Sequence, residues 1–114
     1  MALTPDPQEF KKSRHRGNFQ LAEFSTVAKK ISEMDQKAYS AGSLEVFTKE
    51  LMGLSISFAK DCEECAFYHL EQLAELQITQ EQLSEAIDLI LVGCGSVAFP
   101  LARKSLEFFD QLKG

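Results

Sequence analysis

Apolar residues recur at intervals of three and four along most of the chain, which predicts amphipathic α-helices joined by short turns. Alternation with a period of two is scarce, so strands have little support. The first apolar stripe leads into a break at residues 41–43, where Ser43 is placed to cap a second helix that begins at Leu44. The two stripes consist of Phe24, Val27, Ala28 and Ile31, and of Leu44, Phe47, Leu51, Leu54 and Phe58.

Two capping patterns predict where the next helices start. Asp61 and Glu64 have the spacing of a capping box that begins a helix at Cys62, and Thr79 with Gln82 repeats the pattern. A last helix passes through the proline at position 100. The inward stripes of these helices comprise Cys62, Cys65, Ala66, His69 and Leu73; Leu83, Ala86, Ile87, Ile90, Leu91 and Cys94; and Leu101, Ala102, Phe109 and Leu112. We therefore expect an all-α fold, a compact domain of about five to six helices.

Length and composition fit one small domain. The chain has 114 residues, 45% of them hydrophobic. It lacks a continuous apolar run of about 18 residues, so it predicts neither a membrane span nor a secretory segment, and we expect a cytoplasmic protein. Residues 1–17 are interpreted as a basic N-terminal arm and residues 18–114 as the helical domain. The net charge of −5 argues against a nucleic-acid partner.

Two cysteines and a histidine are spaced for one surface of a helix. Cys62 and Cys65 are three residues apart and His69 follows Cys65 by four, so the three side chains are neighbours on an α-helix. Glu50 lies at the apolar edge of the preceding predicted helix. A short turn between the two helices would bring its partly desolvated carboxylate beside the thiols. We expect these four residues to form the active site.

This set of residues suits thiol redox chemistry, because a thiolate is the nucleophile and the N-terminus of a helix favours it. Acidic residues around the motif oppose that effect by repulsion. We expect Cys65, one turn further in and next to His69, to be the shielded nucleophile whose proton the imidazole accepts. Cys62, nearer solvent, is then its disulfide partner, and Glu50 exchanges protons with the thiol and His69.

Other chemistry is compatible with the same residues. The two cysteines, His69 and Glu50 offer four zinc ligands, although zinc sites usually take ligand pairs from separated segments, and we expect neither a resident metal nor a cofactor. The dithiol could also be vestigial in an oligomeric binding module. The residues do not distinguish a hydroperoxide from a protein disulfide as substrate, nor do they specify the thiol reductant. Cys94, on an apolar stripe, is expected to be a small core residue.

The motif resembles that of the carboxymuconolactone decarboxylase superfamily in its alkyl hydroperoxidase D-like branch. Glu50, Cys62, Cys65 and His69 have the spacing of the active-site motif of that branch. The similarity extends over roughly residues 20–112. Three further segments are similar to the family pattern, namely TKEL at 48–51, TQEQ at 79–82 and GCG at 93–95.

The resemblance implies an all-helical fold whose motif helix lies at a subunit contact of a homotrimer or homohexamer. It also implies an antioxidant peroxidase in which Cys65 attacks the hydroperoxide, Cys62 resolves it as an intramolecular disulfide, and Glu50 and His69 relay protons. Two features depart from the peroxidase pattern: Glu64 stands where a second histidine is found, and the chain has the length of a single unit. A decarboxylase is disfavoured, because the true decarboxylases open a lactone with other residues.

Overall fold

The computed structural model describes residues 4–114, and these form six α-helices and one short 3₁₀ turn, which confirms the predicted all-α fold. None of the described helices is long and apolar enough to cross a membrane. The helices are α1 (Pro7–Phe24), α2 (Thr26–Tyr39), α3 (Val46–Ala59), α4 (Glu63–Glu75), α5 (Gln80–Cys94) and α6 (Phe99–Lys113), with the 3₁₀ turn at Ser96–Ala98.

The core lies where α4 packs against α3 on one side and α6 on the other. Phe67 of α4 and Phe108 of α6 stack with their ring centroids 4.5 Å apart, and both rings are buried. The stripes predicted for α5 and α6 face this core. Cys94 is a partly buried free thiol that packs against the edge of the core, in the structural role predicted for it.

Much of the predicted basic arm belongs to the first helix. Residues 1–3 of the arm lie outside the described residues. From Pro7 onwards the chain is helical, and Phe10 is buried and meets both Phe67 and Phe108 edge-on. Helix α1 therefore runs across the boundary that we placed after residue 17, and it contributes to the same core as the later helices.

The side-chain hydrogen bonds at the helix N-termini confirm one predicted helix start, whereas another predicted start was wrong. Thr79 and Gln82 form the predicted capping box at the start of α5, with bonds of 3.0 and 2.9 Å between each side chain and the amide of the other residue. The predicted start of α3 was two residues early. This helix begins at Val46 rather than Leu44, and the cap predicted for Ser43 is wrong because Glu45 is the N-cap residue and makes no side-chain cap bond.

Asp61 ends α3 rather than starting α4, so the predicted capping box with Glu64 is wrong. Its φ of 53° lies in the left-handed region, which Asp tolerates better than most residues. The Asp61 amide donates to the carbonyl of Phe58 and the Cys62 amide to that of Ser57, at 3.1 and 2.8 Å, which are the two bonds of a Schellman motif. The chain reverses direction at Asp61, and this places Cys62 at the N-cap position of α4.

Helix α2 lies on the outside of the domain. None of its residues is buried. Val27 and Ile31, which we assigned to the first apolar stripe, are 67% and 60% exposed, and Phe24 at the end of α1 is 90% exposed. A helix was predicted here, but the predicted stripe spans two helices, because Ser25 ends α1 and is the N-cap of α2. Within residues 4–114, nothing covers the apolar face of α2.

Candidate active site

The two motif cysteines lie at the start of α4 and are joined by a disulfide. Their Sγ atoms are 2.08 Å apart and their Cα atoms 5.2 Å apart. Cys62 is the N-cap residue, and its Sγ accepts a hydrogen bond from the Cys65 amide at 3.2 Å. Both cysteines therefore sit at the first turn, where the free amide groups of a helix N-terminus favour a thiolate in the reduced protein.

The exposure of the two cysteines is the reverse of our prediction. Cys65 is exposed, whereas Cys62 is partly buried. The bond from the Cys62 amide to the carbonyl of Ser57 holds residue 62 against the end of α3. Among the hydrogen bonds of the described residues, none joins residue 65 to the preceding helix, and the Cys65 amide donates to Cys62 Sγ instead. In the single chain, Cys65 is thus the more accessible cysteine rather than the shielded one.

One of the acidic residues beside the dithiol is paired. Glu63 accepts a hydrogen bond from Lys104 of α6 at 2.8 Å, while Glu64 is exposed to solvent. The Lys104 ammonium offsets part of the negative charge that opposes thiolate formation. Both members of the pair are themselves partly exposed, so its contribution to stability is small.

Glu50 and His69 form a buried pair between α3 and α4. The carboxylate Oε1 lies 2.7 Å from the imidazole Nδ1, and the side chains are 5% and 10% exposed. Because a carboxylate accepts, we assign the imidazole proton to Nδ1, which leaves a lone pair on Nε2. The pair is therefore arranged as a general base and the group that orients it.

Three residues outside the predicted motif surround the imidazole. The rings of Tyr39 and Tyr68 lie 5.4 and 5.2 Å from that of His69 between centroids. Gly53 provides the space for the imidazole, since a Cβ at this position would lie 2.6 Å from Nε2. A glycine in the middle of an apolar helix was a readable signal of close approach, because glycine lowers helix stability. The sequence contained no comparable signal for Tyr39.

Burial, followed by the charge of Glu50, raises the pKa of both Tyr39 and Tyr68 above the usual 10.0. The guanidinium of Arg14 lies 3.7 Å from the centre of the Tyr68 ring and acts in the opposite direction on the pKa of Tyr68. Both hydroxyls are therefore protonated at neutral pH and are able to donate.

The four predicted residues lie together at the contact between α3 and α4, in two separately bonded pairs. Within residues 4–114, the hydrogen bond of His69 goes to Glu50, and none joins its imidazole to either sulfur. In the same described range, no group of three His, Cys, Asp or Glu side chains is arranged to hold a metal ion while Cys62 and Cys65 form the disulfide. The arrangement places a disulfide at the start of α4, one helical turn before the histidine of a buried carboxylate–imidazole pair.

Comparison of sequences gives one family and one curated relative. Residues 26–108 match the carboxymuconolactone decarboxylase family. An uncharacterized protein from Cupriavidus necator is 32% identical over 71 residues, which cover 62% of this chain and 63% of that protein. The chain thus spans less than two thirds of the length of this relative.

Solved structures of family members share the fold. Two crystal structures from Thermotoga maritima, each 32% identical, have TM-scores of 0.86 and 0.89 and cover 92% and 93% of this chain and 90% and 94% of their own chains. The first is described as a carboxymuconolactone decarboxylase family protein with a possible involvement in antioxidative response. A protein of the same family from Legionella pneumophila, in its apo form, gives a TM-score of 0.77 at 28% identity and covers 93% of this chain and 98% of its own.

The family match and the structural likeness agree in extent. The matched residues include all four motif residues and run from the first residue of α2 well into α6. The likeness to the crystal structures covers more than nine tenths of the chain. The chain therefore belongs to the carboxymuconolactone decarboxylase family.

Proposed function

We propose that the protein is a thiol-dependent peroxidase that reduces hydroperoxides with the dithiol of Cys62 and Cys65. The observation that carries this proposal is the disulfide at the start of α4, about one helical turn from the buried pair of Glu50 and His69. A dithiol gives up two electrons when it closes into a disulfide. Reduction of one peroxide bond consumes the same number.

The reaction has two covalent steps. The Cys65 thiolate attacks the terminal oxygen of the hydroperoxide, so that an S–O bond forms, the O–O bond breaks and the alcohol leaves with a proton. The Cys62 thiol then attacks the sulfenic acid, which closes the disulfide and releases water. We assign the first attack to Cys65 because it is the more accessible cysteine and lies one turn before His69.

His69 and Glu50 move the protons in this scheme. Nε2 of His69 accepts the thiol proton and returns it to the departing alcohol. The Glu50 carboxylate, bonded at Nδ1, stabilises the imidazolium that forms between the two transfers. Burial strengthens this interaction because solvent screens it less than it would at the surface.

Family membership supports the proposal, as does the related fold of the Thermotoga maritima protein with a possible antioxidative involvement. Turnover requires that an external thiol reductant reopen the disulfide. A dithiol of this kind works in a reducing compartment, so we also place the protein in the cytoplasm.

The second candidate function is reduction of protein disulfides, which the exposure of Cys65 favours because a bulky substrate could reach it. Both reactions begin with the same thiolate and differ only in what approaches the sulfur. A binding module without redox activity, or a decarboxylase, would give no role to the disulfide beside an acid–base pair.

The decisive experiment mixes fully reduced protein with a slight excess of cumene hydroperoxide and counts thiols by titration with mass analysis. We expect rapid loss of the thiols of Cys62 and Cys65 to one disulfide, with release of one equivalent of alcohol. Cys65→Ser should abolish the reaction, whereas Cys94→Ser, a matched change at the free cysteine, should leave it intact. Thiols that oxidise only as slowly as free cysteine would overturn the peroxidase assignment and leave disulfide substrates to be tested.

We also propose that the protein assembles as a homotrimer or homohexamer through the apolar face of α2. The chain exposes 7847 Å², whereas a compact monomer of 12.8 kDa exposes about 6,300 Å². The excess is about 1,500 Å², well above the roughly 800 Å² that each partner buries in a standard interface. An apolar helix face without buried residues is the natural place for such a contact.

Substitution within this face tests the assembly. Ile31→Glu introduces a charge into the middle of the face, so we expect sedimentation velocity to show a smaller particle than the wild-type trimer or hexamer. Lys29→Glu, on the opposite side of the same helix, should keep the wild-type size. A wild-type protein that sediments as a monomer at micromolar concentration would contradict the proposal.

A further inference from the structure

A polar groove runs along α4 on the face that carries Cys65. It lies between α1, α2 and α4 and has a volume of about 480 Å³. Tyr68 and Gln72 line it and follow Cys65 by three and seven residues, so the three side chains share one face of the helix. At a rise of about 1.5 Å per residue, these two positions lie about 4.5 and 10.5 Å beyond Cys65 along the helix axis. A small organic molecule in the groove therefore spans the distance to the dithiol.

Groups that are able to donate a hydrogen bond line most of this groove. They include the side-chain amides of Asn18, Gln36 and Gln72, the hydroxyl of Ser32 and the imidazole of His15. Binding pockets for small molecules are usually lined by apolar side chains with a few polar groups. The reversed proportion here indicates a ligand that is itself polar and accepts hydrogen bonds.

Arg14 of α1 is the one permanent cation among the described residues that line the groove. Its guanidinium carbon lies 3.7 Å from the centre of the Tyr68 ring, which in turn meets the His69 ring edge-on at 5.2 Å. Among the described residues, no carboxylate lies within 4 Å of the guanidinium, and the side chain makes no hydrogen bond. Arg14 is nevertheless half-buried. A guanidinium that is held by an aromatic ring and has unused donors is suited to the two oxygens of a carboxylate.

Two acids near the groove act against an anionic ligand. Asp35 of α2 lines the groove but is exposed, so solvent screens its charge. Burial raises the pKa of Glu71 and outweighs the opposing charges of Lys11 and Arg14, so a full negative charge is disfavoured at this carboxyl. The half-buried guanidinium is screened less than Asp35. A ligand beside Tyr68 therefore meets a net positive charge.

We propose that Arg14 binds the carboxylate of an organic hydroperoxide whose peroxide group reaches Cys65. The substrate is thus a hydroperoxide that carries a carboxylate about 5–10 Å from its O–O bond, the span of the groove along α4. The guanidinium donates two parallel hydrogen bonds to the carboxylate while the Tyr68 ring supports it. The covalent steps are those already given, and the carboxylate leaves with the product alcohol. That the ligand is a hydroperoxide rests on the proposed function, whereas the carboxylate site does not.

Binding is tested on the oxidised protein, in which the dithiol is closed and no turnover occurs. The probes are para-isopropylbenzoate and para-isopropylbenzamide, which share a ring and differ in charge. We expect the benzoate, but not the benzamide, to shift the ring resonances of Tyr68. Arg14→Met keeps the apolar stem and should weaken benzoate binding about tenfold, whereas Arg14→Lys keeps the charge and should weaken it less. Asp35→Asn removes the opposing charge and should strengthen it.

Arg16→Met is the matched control for this titration. Arg16 is exposed and lines a different groove, beside Glu63 and Glu64, so its loss should leave benzoate binding unchanged. Equal weakening in Arg14→Met and Arg16→Met would overturn the proposal. Absence of benzoate binding to the wild type at millimolar concentration, or weaker binding in Asp35→Asn, would overturn it as well.

Turnover with excess dithiothreitol then tests whether the ligand is the substrate. Cumene hydroperoxide and its para-carboxylate differ by the same charged group as the two probes. We expect Arg14→Met to raise KM for the carboxylated hydroperoxide about tenfold at unchanged kcat, and to alter neither constant for cumene hydroperoxide. Equal KM values of the wild type for both hydroperoxides would overturn the substrate assignment. Benzoate binding that depends on Arg14, in a protein that reacts with neither hydroperoxide, would uphold the carboxylate site and refute the peroxidase assignment.

Discussion

Glu50 on α3 and His69 on α4 are 19 residues apart in sequence and 2.7 Å apart in the fold, in a position that excludes most solvent. The reversal of the chain at Asp61 brings the two helices together. Since both groups are buried, loss of one partner leaves the polar atoms of the other unsatisfied, which costs more than the bond itself contributes. The pair therefore links the packing of two helices to the acid–base role that we propose for it.

Glu50→Gln tests the charge of this pair while keeping its shape. The amide oxygen still accepts from Nδ1, so we expect the fold to persist with a loss of about 1–2 kcal/mol in the free energy of unfolding. Dithiol oxidation by cumene hydroperoxide, followed by stopped flow, should slow about 100-fold because the imidazolium loses its counter-charge. Glu64→Gln, at an exposed acid beside the dithiol, should not slow it. A wild-type rate in Glu50→Gln would remove Glu50 from the mechanism.

Gly53→Ala should reverse the usual effect of this substitution. In a helix interior, replacing glycine with alanine commonly stabilises by about 0.5–1 kcal/mol. At Gly53 the added methyl meets the imidazole and the Tyr39 hydroxyl, and we expect a loss of about 1–3 kcal/mol. Gly93 of α5 is the matched control, because within residues 4–114 no neighbour outside its own helix backbone lies within 4 Å of a Cβ there, and Gly93→Ala should stabilise. Urea unfolding of both variants measures the difference in the free energy of unfolding. A Gly53→Ala variant more stable than the wild type would contradict the close approach of His69 and Tyr39 to the backbone of α3 at Gly53.

Helical periodicity was sufficient to predict the fold class. Motif spacing predicted that the Glu50 carboxylate would lie beside the thiols in one site with His69, and in the structure its hydrogen bond is with His69. The capping box of Thr79 and Gln82 was readable because its bonds lie within four residues. The same spacing at Asp61 was misread because it also fits a left-handed residue at the end of a helix. The choice between the two depends on bonds back to α3, which the local pattern does not contain.

Exposure was harder to predict than helix position. A stripe with a period near 3.6 shows that a helix has an apolar face, but it does not show whether that face meets the same chain or another copy. The apolar face of α2 shows this, because its periodicity was readable from the sequence but its exposure was not. The contact of Tyr39 with His69 likewise joins residues that are 30 apart in sequence. It depends on the packing of α2 on α3, so no spacing in the sequence predicts it.

Cys62 has two roles that different substitutions separate. Its Sγ caps α4 by accepting from the Cys65 amide, and it is one half of the disulfide. Cys62→Ser and Cys62→Ala both abolish disulfide formation, but serine is a good N-cap residue and alanine is a poor one. Under reducing conditions we expect Cys62→Ala to unfold about 1 kcal/mol more easily than Cys62→Ser, measured with urea. Equal stabilities would show that the cap bond contributes nothing.

Glu71 should make the stability of the protein depend on pH in a specific direction. It is 7% exposed, and burial raises the pKa of its carboxyl above 4.5, against the opposing charges of Lys11 and Arg14. The folded state then binds this proton more readily than the unfolded state. The contribution of Glu71 to stability is therefore greatest below the unfolded pKa and declines as the pH rises through the folded pKa.

Glu71→Gln removes this titration, so we expect it to unfold at a higher urea concentration than the wild type near neutral pH, with the difference shrinking towards about pH 4. Glu75→Gln is the matched control, because this neighbouring acid is 60% exposed and its carboxylate lies 3.4 Å from Lys11. Glu75→Gln should be no more stable than the wild type at neutral pH, because it removes an exposed charge rather than a buried one. Parallel pH profiles for the wild type and Glu71→Gln would mean that the buried carboxyl does not titrate differently in the two states, and that its burial on α4 is offset in full by Lys11 and Arg14.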